Sequence, residues 1–355
     1  MYKKFLMGIA AMAARTLVRC SSDDLNSLSD NSSKNEAISF DGYLGRSAVA
    51  VNGSRGSVLE MDDLKSSTES DKKGFGVFGY YSTTDHSAPE QSFDANLFNN
   101  ERVTCPSADN KWTYENTKYW PTEGHIDFLA YAPYVETPNF NGSSIDFTVE
   151  NNVAAQKDLL WAKTENQTKA NNSGANKVKF KFAHALSKLG YTVKLKEDYK
   201  NVTIKLKKIT LAGSTTEPTK KAFYTKGTID LSKTSSDAEL WTKPTPAEKQ
   251  NFDWFSGEKS VTSTSESNPD TDYLFVIPQD FSNTDELYVI VEYTIQNGET
   301  GTMTSTVSRK IEGNFEQGKA YTINLTIGLT PIEFDVDNVI TPWVEGNTIP
   351  EIPLN

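Results

Sequence analysis

Cysteine is nearly absent: the 355 residues include only Cys20 and Cys105. That count excludes a disulfide framework and a cysteine zinc site, and Cys105 is expected to stand alone as a thiol. Histidine is as scarce, and His86, His125 and His184 have no metal-ligand spacing to one another. Each is read as a packed or surface histidine. Basic charge is in deficit, with 36 Lys and Arg against 47 Asp and Glu, a formal net charge of -11. Nucleic acid and anionic lipid both require a basic face, so electrostatics excludes nucleic acid as a partner and docking on anionic lipid. No run reaches the roughly 20 apolar residues that a membrane helix needs. Catalytic signatures are missing too: there is no G-x-S-x-G elbow, no phosphate loop and no dinucleotide fingerprint. Acidic pairs such as Asp62-Asp63 and Asp285-Glu286 read as solvated faces. The expectation is a protein that is not an enzyme and has no cofactor and no metal.

Aromatic residues make up 11% of the chain, with 15 Tyr and 18 Phe, types that suit a pleated surface. Short runs alternate apolar and polar residues: Ile38-Ser-Phe40, Val178 to Phe182, Tyr191 to Leu195, Val202 to Leu206 and Ile323 to Ile327. A period of two marks a strand with one buried face. Phe128 to Ala132, Tyr273 to Ile277 and Leu287 to Val291 are nearly continuous apolar runs, expected as central strands buried on both faces. Turn chemistry separates them, and Asn297-Gly298 predicts a hairpin with a two-residue turn. Helical periodicity is scarce; Ala183 to Gly190 and Ala247 to Phe255 could each give a short helical turn. Six tryptophans invite a carbohydrate-stacking reading through Trp112, Trp120, Trp241 and Trp254, against buried core aromatics as the simpler one.

Composition divides the chain. Residues 163–177 (KTENQTKANNSGANK) hold no large apolar side chain, so one β-sandwich is expected over 38–165, a linker over 166–176 and a second sandwich over 177–331. No short repeat suggests a solenoid or propeller. The tail at 332–355 differs in kind: four prolines fall at and after Pro331, and its alternating stretches have no hairpin partner behind them. Proline cannot donate to a ladder, so these strands belong on an edge or leave the domain.

The beginning of the chain carries Lys3 and Lys4, then an apolar run from Phe5 to Ala14 that is too short to span a bilayer. Leu17-Val18-Arg19-Cys20 and a polar stretch follow. Residues 1–20 resemble a bacterial lipoprotein leader, which implies export and acylation of Cys20. Arg19 stands where that box carries a small residue, and a plain cleaved signal with an incidental cysteine is the alternative. Residues 21–37, rich in Ser, Asp and Asn through Glu36, read as a flexible tether.

Several motifs then occur in order. They are Ile38-Ser-Phe40 leading to Leu44-Gly-Arg46, Phe75 to Tyr81, Tyr119-Trp-Pro121, Ile126 to Pro133, Gln156-Lys-Asp-Leu-Leu160, Phe180 to Leu189, and Ile332-Glu-Phe334 to Trp343. As an ordered set they resemble the fimbrillin family of Bacteroidales, in its Mfa-like branch, over nearly the whole chain. The resemblance implies an all-β fold of two transthyretin-like sandwiches and assembly into type V pili by strand exchange. It implies a lipidated precursor at the outer membrane, cleavage after an arginine, loss of the first strand, and a neighbour's C-terminal strand in its place. Here the removable strand would be Ile38 to Gly45 and the cut would separate Arg46 from Ser47, with Arg55 as the rival. The donor strand would lie in 332–355 and present Ile332, Phe334, Val336, Ile340 and Trp343; a plain final strand of the second sandwich is the other reading. Partners would be other pilin subunits, the outer membrane through the lipid anchor, and a host protein or glycan. A function of a different class stays open: a cell-surface glycan-binding lipoprotein that never polymerises.

Overall fold

The structure, a computed structural model, describes residues 36–44, 59–65, 73–84, 93–106, 111–172, 177–233, 240–269, 272–298, 301–329 and 335–342. The chain opens with β1 (Phe40–Leu44), β2 (Phe75–Ser82), β3 (Phe98–Val103), β4 (His125–Ala132), β5 (Phe140–Asn141), β6 (Ser144–Thr148), β7 (Leu160–Gln167) and β8 (Val178–His184). There follow β9 (Ser187–Leu195), β10 (Val202–Ala212), β11 (Phe223–Tyr224), β12 (Lys226–Asp230), β13 (Trp241–Thr242), β14 (Lys249–Gln250), β15 (Phe252–Val261) and β16 (Glu266–Ser267). The remainder is β17 (Leu274–Val276), β18 (Gln279–Asp280), β19 (Leu287–Asn297), β20 (Thr302–Ile311), β21 (Asn314–Phe315), β22 (Lys319–Ile327) and β23 (Asp335–Pro342). Among the described residues helix is limited to short 3-10 turns, as at Val153–Ala155 and Ala170–Asn172. The fold is all-β, as the alternating sequence pattern requires.

A six-stranded sheet runs β1-β8-β7-β4-β2-β3. Two of its inner strands, β2 and β4, bury residues on both faces, whereas β8 alternates buried apolar residues with the exposed Lys179 and Lys181. Ile126, Phe128, Ala130 and Ala132 of β4 enter one core with Phe75, Val77, Phe180 and Phe182, whereas Leu129 and Tyr131 enter a second. The first core is closed by Leu64 and by Cys105, Trp112 and Trp120, where Thr104 and Thr113 exchange backbone hydrogen bonds of 2.8 and 2.7 Å. Gly76 is forced by the second core: a Cβ there would lie 2.3 Å from the Tyr131 ring.

The second core continues between two further sheets, β15-β10-β19-β20 and β16-β9-β22-β23, with β17 also on β9. Ile204, Leu206, Ile209 and Leu211 from β10 and Val289, Val291 and Tyr293 from β19 share it with Tyr191 and Val193 of β9 and Tyr321, Ile323 and Leu325 of β22. A small sheet, β13-β12-β6-β5, adds Ile145 and Ile229.

Three expectations about local structure are corrected. Ala183–Gly190 and Ala247–Phe255 are not helical turns but lie in β8, β9, β14 and β15 and the short links between them, because sheet pairing overrides weak local preference. The Leu287 to Val291 run is not buried on both faces: Leu287, Val289 and Val291 are buried, Tyr288 and Ile290 only half. The β19–β20 hairpin exists, but its last paired residues are Gln296 and Thr302. Asn297 pairs instead with Val202 of β10, and both Gly298 and Gly301 adopt positive φ. The connection is therefore longer than a two-residue turn. Past the expected 166–176 linker, Val178–His184 returns to the first sheet as β8, next to β7.

Candidate functional site: the edge strands from the two ends of the chain

The removable strand named from the sequence is β1, the edge of the six-stranded sheet. It runs parallel to β8 with Phe40 opposite Val178 and Leu44 opposite Phe182. Alternation fixes its faces. Phe40 points into the core and is fully buried, whereas Tyr43 on the opposite face is 47% exposed. The Phe40 ring meets Phe98, Phe128, Tyr114 and Phe180 at centroid separations of 5.4, 5.5, 5.4 and 5.7 Å. Burying such a ring contributes about 1.5–3 kcal/mol before its ring contacts are counted.

Upstream of β1 the backbone is also held. Ile38 N–H donates to the Lys118 carbonyl at 2.8 Å, and Trp120 N–H donates to the Glu36 carbonyl at 3.1 Å. The Tyr114 hydroxyl donates to the Ile38 carbonyl at 2.7 Å. Burial pushes the Tyr114 pKa up to about 12, partly offset by its Lys118 hydrogen bond, so the phenol stays a donor at neutral pH. On the far side, the β8–β7 ladder is confined to Leu160–His184 and Trp161–Ala183. Residues 178–182 of β8 thus depend on β1 for regular pairing.

The other end of the chain supplies β23, the outer strand beside β22. It pairs antiparallel, from Lys319 opposite Pro342 to Thr326 opposite Asp335. Val336 lies opposite Leu325 and packs against the second core, but Ile340, opposite Tyr321, is 57% exposed. Of the expected donor residues, Val336 and Ile340 are thus in one edge strand, and Ile332, Phe334 and Trp343 lie outside the described residues. So do Cys20, Arg46, Ser47, the rival Arg55, and His86.

The remaining candidates resolve into packing. Cys105 is buried in the first core, and its thiol donates to the Pro106 carbonyl at 3.9 Å. Trp112, Trp120, Trp241 and Trp254 are all buried, so none offers a face for a sugar. His125 lies 3.6 Å from the Asp127 carboxylate. Among the described residues no group of three or more His, Cys, Asp or Glu is placed to hold a metal. The sequence reading missed one polar cluster. Asp158 is wholly buried, and its carboxylate meets His184 Nδ1 at 2.8 Å and the backbone N–H of Leu159 at 2.8 Å and of Leu59 at 3.2 Å. A carboxylate lodged within Gln156-Lys-Asp-Leu-Leu160, beside two leucines, is the signal that could have found it.

The described residues thus form an all-β protein in which β1 and β23, the first and last described strands, are both edge strands. A family model described as fimbrillin-like matches residues 65–343, and the chain belongs to that family. A fimbrial protein from Bacteroides vulgatus is similar in structure, with a TM-score of 0.64 and 22% identity, covering 87% of this chain and 99% of the other. A candidate cell adhesion protein from Bacteroides ovatus gives a TM-score of 0.49 and 15% identity, with coverage of 89% and 100%. No curated protein matches the chain.

Proposed function

We propose that this protein is a structural and adhesive subunit of a type V fimbrium on the bacterial outer membrane, joined to its neighbours by strand exchange. A precursor is held by an acyl group on Cys20, a protease cuts between Arg46 and Ser47, and β1 departs. A neighbour's tail, drawn from 332–355, fills the groove. The reading takes two sandwiches along the chain, 38–165 together with β8 and the remainder of 177–331.

The observation that carries it is the position of β1. Without it, Val178, Phe180, Phe98 and Phe128 would line an open apolar trough, and the 178–182 edge of β8 would keep unpaired N–H and C=O groups. An incoming extended segment satisfies both needs together. Family membership supports the same reading, and the exposed Ile340 is consistent with a tail that is only loosely used in its own subunit.

Electron microscopy of wild-type cells and of cells lacking the protein tests the central claim. Filaments lost with the protein support it; filaments unchanged would leave the non-polymerising glycan-binding lipoprotein as the better reading. For processing, the reading requires limited trypsin treatment of the precursor to yield a new N-terminus at Ser47. Cutting at sandwich lysines while Arg46 stays intact would remove that site. Palmitate labelling abolished by Cys20→Ala is the expected result for the anchor.

A further inference from the structure

Residues 59–65 form a self-closed turn. Glu60 N–H bonds the Asp63 carboxylate at 2.9 Å, the backbone bonds Asp63 to Glu60 and Leu64 to Met61 at 3.0 and 3.3 Å, and Lys65 pairs with Asp62 at 2.7 Å. This turn lies on the core face of β1. A Cβ on Gly42 would fall 2.9 Å from Met61 Cε and 3.1 Å from the Phe182 ring, so these two side chains close over the middle of β1 from the side that Phe40 also faces. Leu64 is buried in the same core as Phe40, and Leu59 and Met61 pack against it. The turn is tied to the body from underneath. Leu59 N–H donates to Asp158 Oδ2, a residue 99 positions away, and the same carboxylate oxygen meets His184 Nδ1.

We propose that Leu59–Lys65 is a strap that retains β1, and that the buried Asp158–His184 pair is its anchor. Three donors converge on a carboxylate with no access to solvent, so each is needed to offset the carboxylate's lost hydration. One of the three is the backbone of the strap. His184 serves as a positioning residue, since its ring holds the oxygen that the Leu59 amide reaches. Leaving sideways is therefore not enough to free β1, because Met61 overlies it and Leu64 holds the turn in the same core. A cut between Arg46 and Ser47 would leave the strap on the mature subunit, so the strap must lift for β1 to be exchanged. That consequence rests on the reading of β1 as removable; the strap itself does not.

Hydrogen exchange followed by mass spectrometry on the full chain tests it. Asp158→Asn keeps the shape and replaces one acceptor with a donor. Exchange should then quicken by about tenfold or more at Leu59–Leu64 and at Phe40–Leu44, the scale of a hydrogen bond to a charged group. The β19 amides should keep their wild-type rates. Met61→Ala leaves the anchor intact and should quicken β1 alone, with Leu59 unchanged; it also decides the matter should Asp158→Asn fail to fold. Wild-type rates at Leu59–Leu64 in Asp158→Asn, a uniform rise that includes β19, or wild-type rates at β1 in Met61→Ala would each overturn the strap. If the exchange pattern is found but no filaments ever form, the strap stands and the fimbrial reading falls. Filaments with no such pattern give the reverse.

Discussion

The two edge strands β1 and β23 are built alike on paper and held very differently. The β23 ladder is longer, spanning Asp335–Pro342 against Phe40–Leu44, and it is antiparallel, the slightly more stable pairing. Yet β1 inserts a fully buried Phe40 among four aromatic rings and anchors the Ile38 backbone, whereas β23 half-buries Val336 and leaves Ile340 57% exposed. An edge strand is thus held chiefly by the side chains it inserts rather than by the length of its ladder. For an exchanging subunit the asymmetry has a use. In the exchange proposed above, the strand to be replaced would vacate a deep groove, so its replacement would gain a large contact, and the strand to be donated would give up little when it leaves.

The comparison breaks most readily at Phe40. Phe40→Ala should destabilise the chain by about 3–5 kcal/mol in denaturant melts, because the ring would leave a cavity walled by Phe98, Phe128 and Phe180. A value under 1 kcal/mol would mean β1 is not held by insertion. Removing residues from Asp335 onward tests the opposite end, and the expected loss of monomer stability is smaller, on the order of 1–3 kcal/mol, mostly from Val336. Filament growth should nevertheless stop. A loss as large as that of Phe40→Ala would make β23 an integral core strand.

Tyr114→Phe sharpens the picture of the upstream anchor, with an expected cost of about 1 kcal/mol for the lost hydrogen bond to Ile38. Its pH behaviour carries a sign. The folded pKa, about 12, lies above the ordinary value of 10.0, so the contribution is complete below pH 10 and disappears as pH rises towards 12. Alkaline titration should loosen residues 36–44, and the Phe variant should lack that component; Tyr131, also raised to about 12, should retain its own. The smallest effect is expected at Ile340, where Ile340→Ala should shift monomer stability by no more than about 0.5 kcal/mol. A drop several times larger would show that the exposed side chain is not loosely used.

Most strands could be read directly from the sequence. The Val178–Phe182, Tyr191–Leu195, Val202–Leu206 and Ile323–Ile327 alternations all lie within strands, with the apolar positions buried in β8, β9 and β22. Phe128–Ala132 is buried on both sides as its continuous apolar run suggests. The similar run at Leu287–Val291 misled, because apolar residues such as Ile290 also occupy a half-covered outer face. The candidate site was legible only as a position along the chain. Ile38 to Gly45 could be singled out, but not Tyr114, Met61 or Asp158, which give that stretch its hold.

The sequence by itself determined the class of fold, the extents of most strands and which side chains face a core, because a period of two encodes face directly. Partner choice was left to the tertiary structure. Only the fold decided that β1 lies parallel to β8, that β8 joins the first sheet across a polar stretch, and that Asn297 pairs with Val202 rather than making the tight turn. It also decided that Asp158 is buried. A carboxylate is admitted to a core only where donors converge on it, and here they come from Leu59, Leu159 and His184, positions that no local pattern links.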